Sequence, residues 1–84
     1  MTDFEFDLLD ELYFVKSIEE LNSLFKDQNK DIEIELWTVI EKGWVKVMDR
    51  EDNELQVTKD EYVTNCHSLL FNISKKGLMA HNQI

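Results

Sequence analysis

Apolar residues recur four, four and three apart at Phe4, Leu8, Leu12 and Val15, with Asp7, Asp10 and Glu11 in the gaps. That period predicts a first helix over residues 4–15. Ser17 is placed to cap a second over 18–26, because Glu20 stands three residues later in the reciprocal capping arrangement and Leu21, Leu24 and Phe25 then share a face. The polar run Asp27-Gln28-Asn29-Lys30-Asp31 interrupts the pattern, and Asp31 can cap a third helix over 32–42. Its inward face is expected at Leu36, Val39 and Ile40. Gly43 follows, where a residue without a Cβ closes a helix in the left-handed conformation at little cost, and Trp44 is expected to cover that cap.

Beyond Gly43 the period shortens to two. Trp44-Val45-Lys46-Val47-Met48 is rich in branched and aromatic side chains and predicts a strand over 44–49. Asp49 to Asn53 is a polar turn, and the alternation Leu55-Gln56-Val57-Thr58 makes 54–58 the returning arm of a hairpin. Residues 59–66 carry no decisive pattern and read either as more loop or as a short helix. A third strand is predicted over 67–73, with Leu69, Phe71 and Ile73 on one face, and Ser74 caps a last short helix over 75–81. The sequence has no internal repeat and no low-complexity stretch. The expected fold is a single α+β domain over residues 1–84: three helices, an antiparallel wing of two or three strands, and a short C-terminal helix.

Three helices, a glycine stop, two strands around a polar loop and a short helix follow the order of elements in the winged helix-turn-helix superfamily. Val39-Ile40-Glu41-Lys42-Gly43-Trp44-Val45 resembles the end of a recognition helix running into a first wing strand. Phe71-Asn72-Ile73-Ser74-Lys75-Lys76-Gly77-Leu78 is similar to the second wing strand and its exit, where many members carry Leu/Ile-Thr/Ser-x-x-Gly. The resemblance covers about residues 17–80 and points toward small bacterial winged-helix transcriptional regulators. It implies that the helix at 32–42 enters a DNA major groove and that the loop at 49–54 touches the backbone or minor groove.

Charge changes that expectation. The chain carries 18 acids against 9 Lys and Arg, a formal net of −9, and all of the excess lies in residues 1–41, with twelve acids and three bases. The second half has six of each. On the would-be reading helix Asp31, Glu33, Glu35 and Glu41 face a single base, Lys42, and the loop 49–54 holds four acids beside Arg50. Each carboxylate held about 4 Å from a phosphate costs on the order of 1 kcal/mol even at the dielectric of bulk water, and binding to phosphate backbones draws its affinity from Lys and Arg. The favoured expectation is therefore a protein–protein interaction or regulatory module with a basic partner. Glu33, Trp37 and Glu41, at i, i+4 and i+8, share a helical face on which an aromatic anchor is framed by acids, with Glu35 and Thr38 beside it. Against this stand two plainer readings, in which Trp37 packs on the second helix or the wing and the acids only keep a small protein soluble. The alternative function is a DNA-binding regulator that uses Thr38 with a basic patch of Lys42, Lys46, Arg50, Lys59, Lys75 and Lys76.

Other chemistry is sparse. Two His, two Gly and no Pro leave little from which to build a catalytic site or a phosphate-cradling loop, so neither an enzyme nor a cofactor is expected. Cys66 and His67 are adjacent, and on a strand they would point to opposite faces and not converge on a metal; His81 has no spaced partner. A small-molecule sensor would need a pocket between protomers near Trp44 and Tyr62 that nothing in the sequence specifies. A lone cysteine excludes an internal disulfide, and the acidic start Thr2-Asp3-Phe4-Glu5 is unlike a secretory leader, so a reducing, cytoplasmic setting is expected. The longest apolar run, Leu12-Tyr13-Phe14-Val15, is far short of the roughly 20 residues of a membrane span. The first helix is apolar on more than one face, through Phe4, Phe6, Leu8, Leu9, Leu12, Tyr13 and Phe14. Unless the chain end folds over it, the surplus is expected to pair two copies.

Overall fold

A helix leaves its first backbone N–H groups without partners, and the residue before it decides whether they are satisfied. In the computed structural model, which describes residues 1–83, Thr2, Ser17 and Thr58 open α1 (Asp3–Glu11), α2 (Ile18–Leu24) and α4 (Lys59–Asn65). Each does so through a full capping box, with Glu5, Glu20 and Glu61 reaching back to the cap. Asp31 accepts from the Ile34 N–H to start α3 (Ile32–Glu41), and Ser74 accepts from the Gly77 N–H to start α5 (Lys75–Asn82). Gly43 ends α3 at φ +82°. Its N–H donates to the Ile40 carbonyl at 2.9 Å and the Trp44 N–H to that of Val39 at 3.0 Å, the double closure of a left-handed helix stop.

The strands β1 (Lys16–Ser17), β2 (Val45–Met48), β3 (Glu54–Leu55) and β4 (Leu70–Ile73) form one antiparallel sheet in the order β1-β4-β2-β3. Val45 faces Ile73 and Met48 faces Leu70 at its centre, while Leu55 pairs with Val47 on one side and Lys16 with Phe71 on the other. The buried side chains Val45, Val47, Phe71 and Ile73 form one cluster with Leu8 and Leu12 of the first helical segment, Ile18 and Leu21 of α2, and Leu36 and Val39 of α3. Ile40 is only half-buried at its edge. The architecture is α+β, as expected, with α5 as the short C-terminal helix.

Several boundaries differ from the sequence expectation, each for a local reason. The first helix stops at Glu11, because the Leu12 carbonyl is taken by the Ile73 N–H and the Asn72 side-chain amide, both at 2.8 Å. The chain then turns out to deliver Lys16 and Ser17 to the sheet, which has four strands in place of two or three, and Val15 is left 42% exposed. The second helix ends at Leu24 and passes into a 3₁₀ turn over Lys26–Gln28, so that Leu24 is exposed while Phe25 is buried. The strand expected over 54–58 is cut to Glu54–Leu55 because Thr58 is committed to capping α4, and residues 59–65 take the helical option. The strand expected over 67–73 begins at Leu70, since Cys66–Ser68 form a 3₁₀ turn.

The surplus apolar face of α1 meets α5. Phe6 stacks on His81 with ring centroids 4.1 Å apart, and the Tyr13 hydroxyl donates to Asn82 Oδ1 at 3.1 Å while lying 3.0 Å from His81 Nδ1. Tyr13, Phe14 and Val15 remain on the surface. Among the described residues no helix is long and apolar enough to cross a membrane.

Candidate functional site

Two features converge on α3. The first is an open groove of about 500 Å³ between α3 and α4. Its floor is aromatic: the ring of Trp37 lies 5.1 Å from that of Tyr62, which in turn meets Phe71 edge-on at 6.1 Å. Tyr62 is buried and its hydroxyl donates to the Glu33 carbonyl at 2.6 Å, tying α4 to α3. Burial, reinforced by Cys66, Glu33 and Asp31, pushes the phenol well above its ordinary range, so it stays protonated and remains a donor. Ile34 and Val63 stand at the lips, 65% and 62% exposed. Three carboxylates, Asp31, Glu33 and Glu41, line the groove against one ammonium, Lys59.

Of the residues expected to form a recognition face, Glu33, Trp37, Thr38 and Glu41 line this groove together. Thr38 spends its hydroxyl on the Ile34 carbonyl at 3.1 Å. Glu35 is not with them; it is turned toward the start of α1, beside Thr2 and Lys30. Trp37 packs on neither of the expected neighbours alone. One side meets Tyr62, and the other helps line a smaller recess of about 310 Å³ with Val45 and Val47 of β2 and Leu55 of β3, leaving the ring half-buried. The sequence pattern missed Tyr62 as its support. The Thr58-x-x-Glu61 box, which marks α4, was the signal that could have found it.

The second feature lies at the other edge of Glu33. Because Cys66 and His67 sit in a 3₁₀ turn and not on a strand, their side chains do converge, contrary to the strand-based expectation. The Cys66 thiol donates to Glu33 Oε1 at 3.0 Å, and His67 Nε2 lies 3.7 Å from Glu33 Oε2. The other imidazole nitrogen, Nδ1, bonds the carboxylate of Glu19 on α2. That hydrogen bond raises the imidazole pKa of His67 and lowers the carboxyl pKa of Glu19. Burial, and then the Glu33 hydrogen bond and charge, push the Cys66 thiol up to about 11.

The cations of the alternative, DNA-binding reading are divided among separate surroundings. Lys42 pairs with the buried Glu5 at 2.6 Å and lies over the Trp44 ring, and the Lys76 stem lies along Gly43. Lys46 is half-buried beside the recess behind Trp37, and Lys59 is in the acidic groove. Arg50 donates to the His67 carbonyl at 3.4 Å. Lys75 is exposed in the first turn of α5. Comparison with family models, with curated proteins and with solved structures finds no match to this chain.

Proposed function

We propose that the chain is a cytoplasmic binding module of winged-helix type, not an enzyme, whose α3–α4 groove takes a basic, amphipathic segment of a partner protein. The observation that carries the reading is the make-up of the groove: an aromatic floor of Trp37 and Tyr62, apolar lips at Ile34 and Val63, and an excess of carboxylates around them. Such a surface offers desolvation to an apolar face and attraction to a flanking Lys or Arg, while it repels the phosphates of DNA. Support for the winged-helix scaffold comes from the sheet order, in which the strand between the first two helices joins the strand that closes the wing, and from the glycine stop after α3. The helix α4, inserted within the wing, is a departure from the simple pattern and is what walls the groove.

The test is fluorescence anisotropy with two labelled probes at low and physiological salt: a Lys/Leu amphipathic helical peptide and a random-sequence DNA duplex. The peptide should bind the native chain and lose affinity in Trp37→Ala and in Glu33→Gln/Glu41→Gln. The duplex should not bind. Duplex binding that weakens steeply with salt, or peptide binding indifferent to Trp37→Ala, overturns the proposal and, in the first case, favours the regulator built on Lys42, Lys46, Arg50, Lys59, Lys75 and Lys76.

A further inference from the structure

We propose that Glu33, Cys66 and His67 form a site for one divalent transition-metal ion of the zinc type. Thiolate, imidazole and carboxylate are each zinc ligands, three protein ligands leave a fourth position open, and the sulfur selects such ions over magnesium or calcium. The ligand atoms come from two elements and lie within 4.8 Å of one another. With metal–sulfur and metal–nitrogen bonds of about 2.3 and 2.0 Å, tetrahedral donors sit roughly 3.3–3.6 Å apart, so side-chain shifts of about 1 Å close the set.

Glu19 supplies an independent argument. A metal-bound histidine typically donates its other ring N–H to a carboxylate, which fixes the tautomer and aims the lone pair. Here the Glu19 carboxylate already holds His67 Nδ1, and Nε2 is the nitrogen turned toward Glu33. The Tyr62 hydroxyl meanwhile anchors the Glu33 backbone. His67, Glu33 and Glu19 are all open to solvent, which provides the entry path, and the Cys66 sulfur closes the inner side.

Charge balances on binding. The ion breaks the S–H bond, that proton and any proton on His67 Nε2 leave to solvent, and metal–sulfur and metal–nitrogen bonds replace the contacts of Cys66 and His67 to Glu33. A doubly charged ion with one thiolate and one carboxylate is then neutral. The bound ion would cross-link α3 to the Cys66–Ser68 turn, with α2 held through Glu19. The proposal is independent of the groove reading, although Glu33 belongs to both.

Cobalt(II) titrated into the full chain under reducing conditions tests it. One equivalent should produce a thiolate-to-cobalt charge-transfer band with the strong d–d absorption of a tetrahedral site, and zinc should displace it. Cys66→Ser should remove the charge-transfer band, and the exposed position of His67 lets His67→Gln report ligand loss in a folded protein by a collapse of affinity. Glu19→Gln should weaken binding by about 10–100-fold. Trp37→Ala should leave metal binding intact, which separates failure of this site from failure of the groove. Absence of the charge-transfer band at stoichiometric cobalt, or affinity unchanged in His67→Gln, overturns the proposal.

Discussion

Gly77→Ala sets two physical effects against each other with opposite signs. Gly77 lies in the first turn of α5, where alanine is the better helix former by about 1 kcal/mol. The packing says otherwise. A Cβ at this position would stand 2.0 Å from the Trp44 carbonyl oxygen and 2.9 Å from both the Trp44 carbonyl carbon and Ile73 Cγ1. Two of these three atoms, the closest among them, are Trp44 backbone, which cannot rotate aside. To make room, α5 must lift from Trp44 and from Ile73 of β4, straining the 2.9 Å bond from the Ser74 N–H to the Trp44 carbonyl and the 2.6 Å bond from the Ser74 hydroxyl to the Gly43 carbonyl. Overpacking at the upper end costs about 3 kcal/mol and a lost hydrogen bond about 1 kcal/mol, so after the propensity gain of about 1 kcal/mol the net loss is about 3 kcal/mol. For a domain of this size that lowers Tm by roughly 12–24 °C. Urea and thermal unfolding followed by circular dichroism measure it, with Gly43→Ala as the contrast. At Gly43 the nearest atom to a new Cβ is the flexible Lys76 stem at 3.4 Å, and only the left-handed backbone at φ +82° is strained, for about 1–2 kcal/mol. A Gly77→Ala variant as stable as the native chain, or more so, refutes the close approach of α5 to the Trp44 backbone.

Three further outcomes are expected. Trp37→Ala should stay folded, lose the peptide probe, and lower stability by about 2 kcal/mol, roughly half the cost of truncating a fully buried Trp, as read by anisotropy and urea melts on the same samples. Thr58→Ala removes a cap and should cost about 1 kcal/mol; because α4 carries Tyr62 and Val63, hydrogen exchange should rise across residues 59–65. Lys42→Met tests the buried Glu5, whose ionisation is opposed by burial but favoured more strongly by the Lys42 ammonium and the Thr2 N–H, leaving its pKa below the ordinary 4.5. A depressed carboxyl pKa contributes stability that is present above the unfolded value and lost as pH falls through the folded one. The native chain should therefore exceed Lys42→Met by about 1 kcal/mol at pH 7, given that Lys42 itself is partly solvated, and the gap should narrow progressively in melts as the pH is taken below 4.5.

The helix starts at Ser17, Asp31 and Ser74 and the stop at Gly43 could be read from the chain because their signals are local: a cap and its partner lie three residues apart. The end of the first helix could not, since what stops it is the side chain of Asn72, sixty residues away, competing for the Leu12 carbonyl. Thr58 shows a subtler failure. It ends an alternating run that reads as a strand and also begins a capping box, and the commitment of its side chain to Glu61 settles the competition for the helix. The same error of period hid the corner at Cys66 and His67. As strand neighbours they would diverge, but a 3₁₀ turn carries both side chains toward Glu33. Within the expected recognition face, helical spacing correctly grouped Glu33, Trp37 and Glu41, while Glu35 turns toward α1.

The order β1-β4-β2-β3 places the two four-residue strands inside the sheet and a two-residue strand at each margin. A sheet margin is a row of backbone donors and acceptors on which another chain can polymerise, and short margins are one way proteins suppress fibre growth. Each side here ends in a strand of just two residues, too brief a template for a foreign strand to seat stably. The brevity that guards this fold against runaway self-assembly also closes one general route of recognition, the addition of an extended peptide to the sheet.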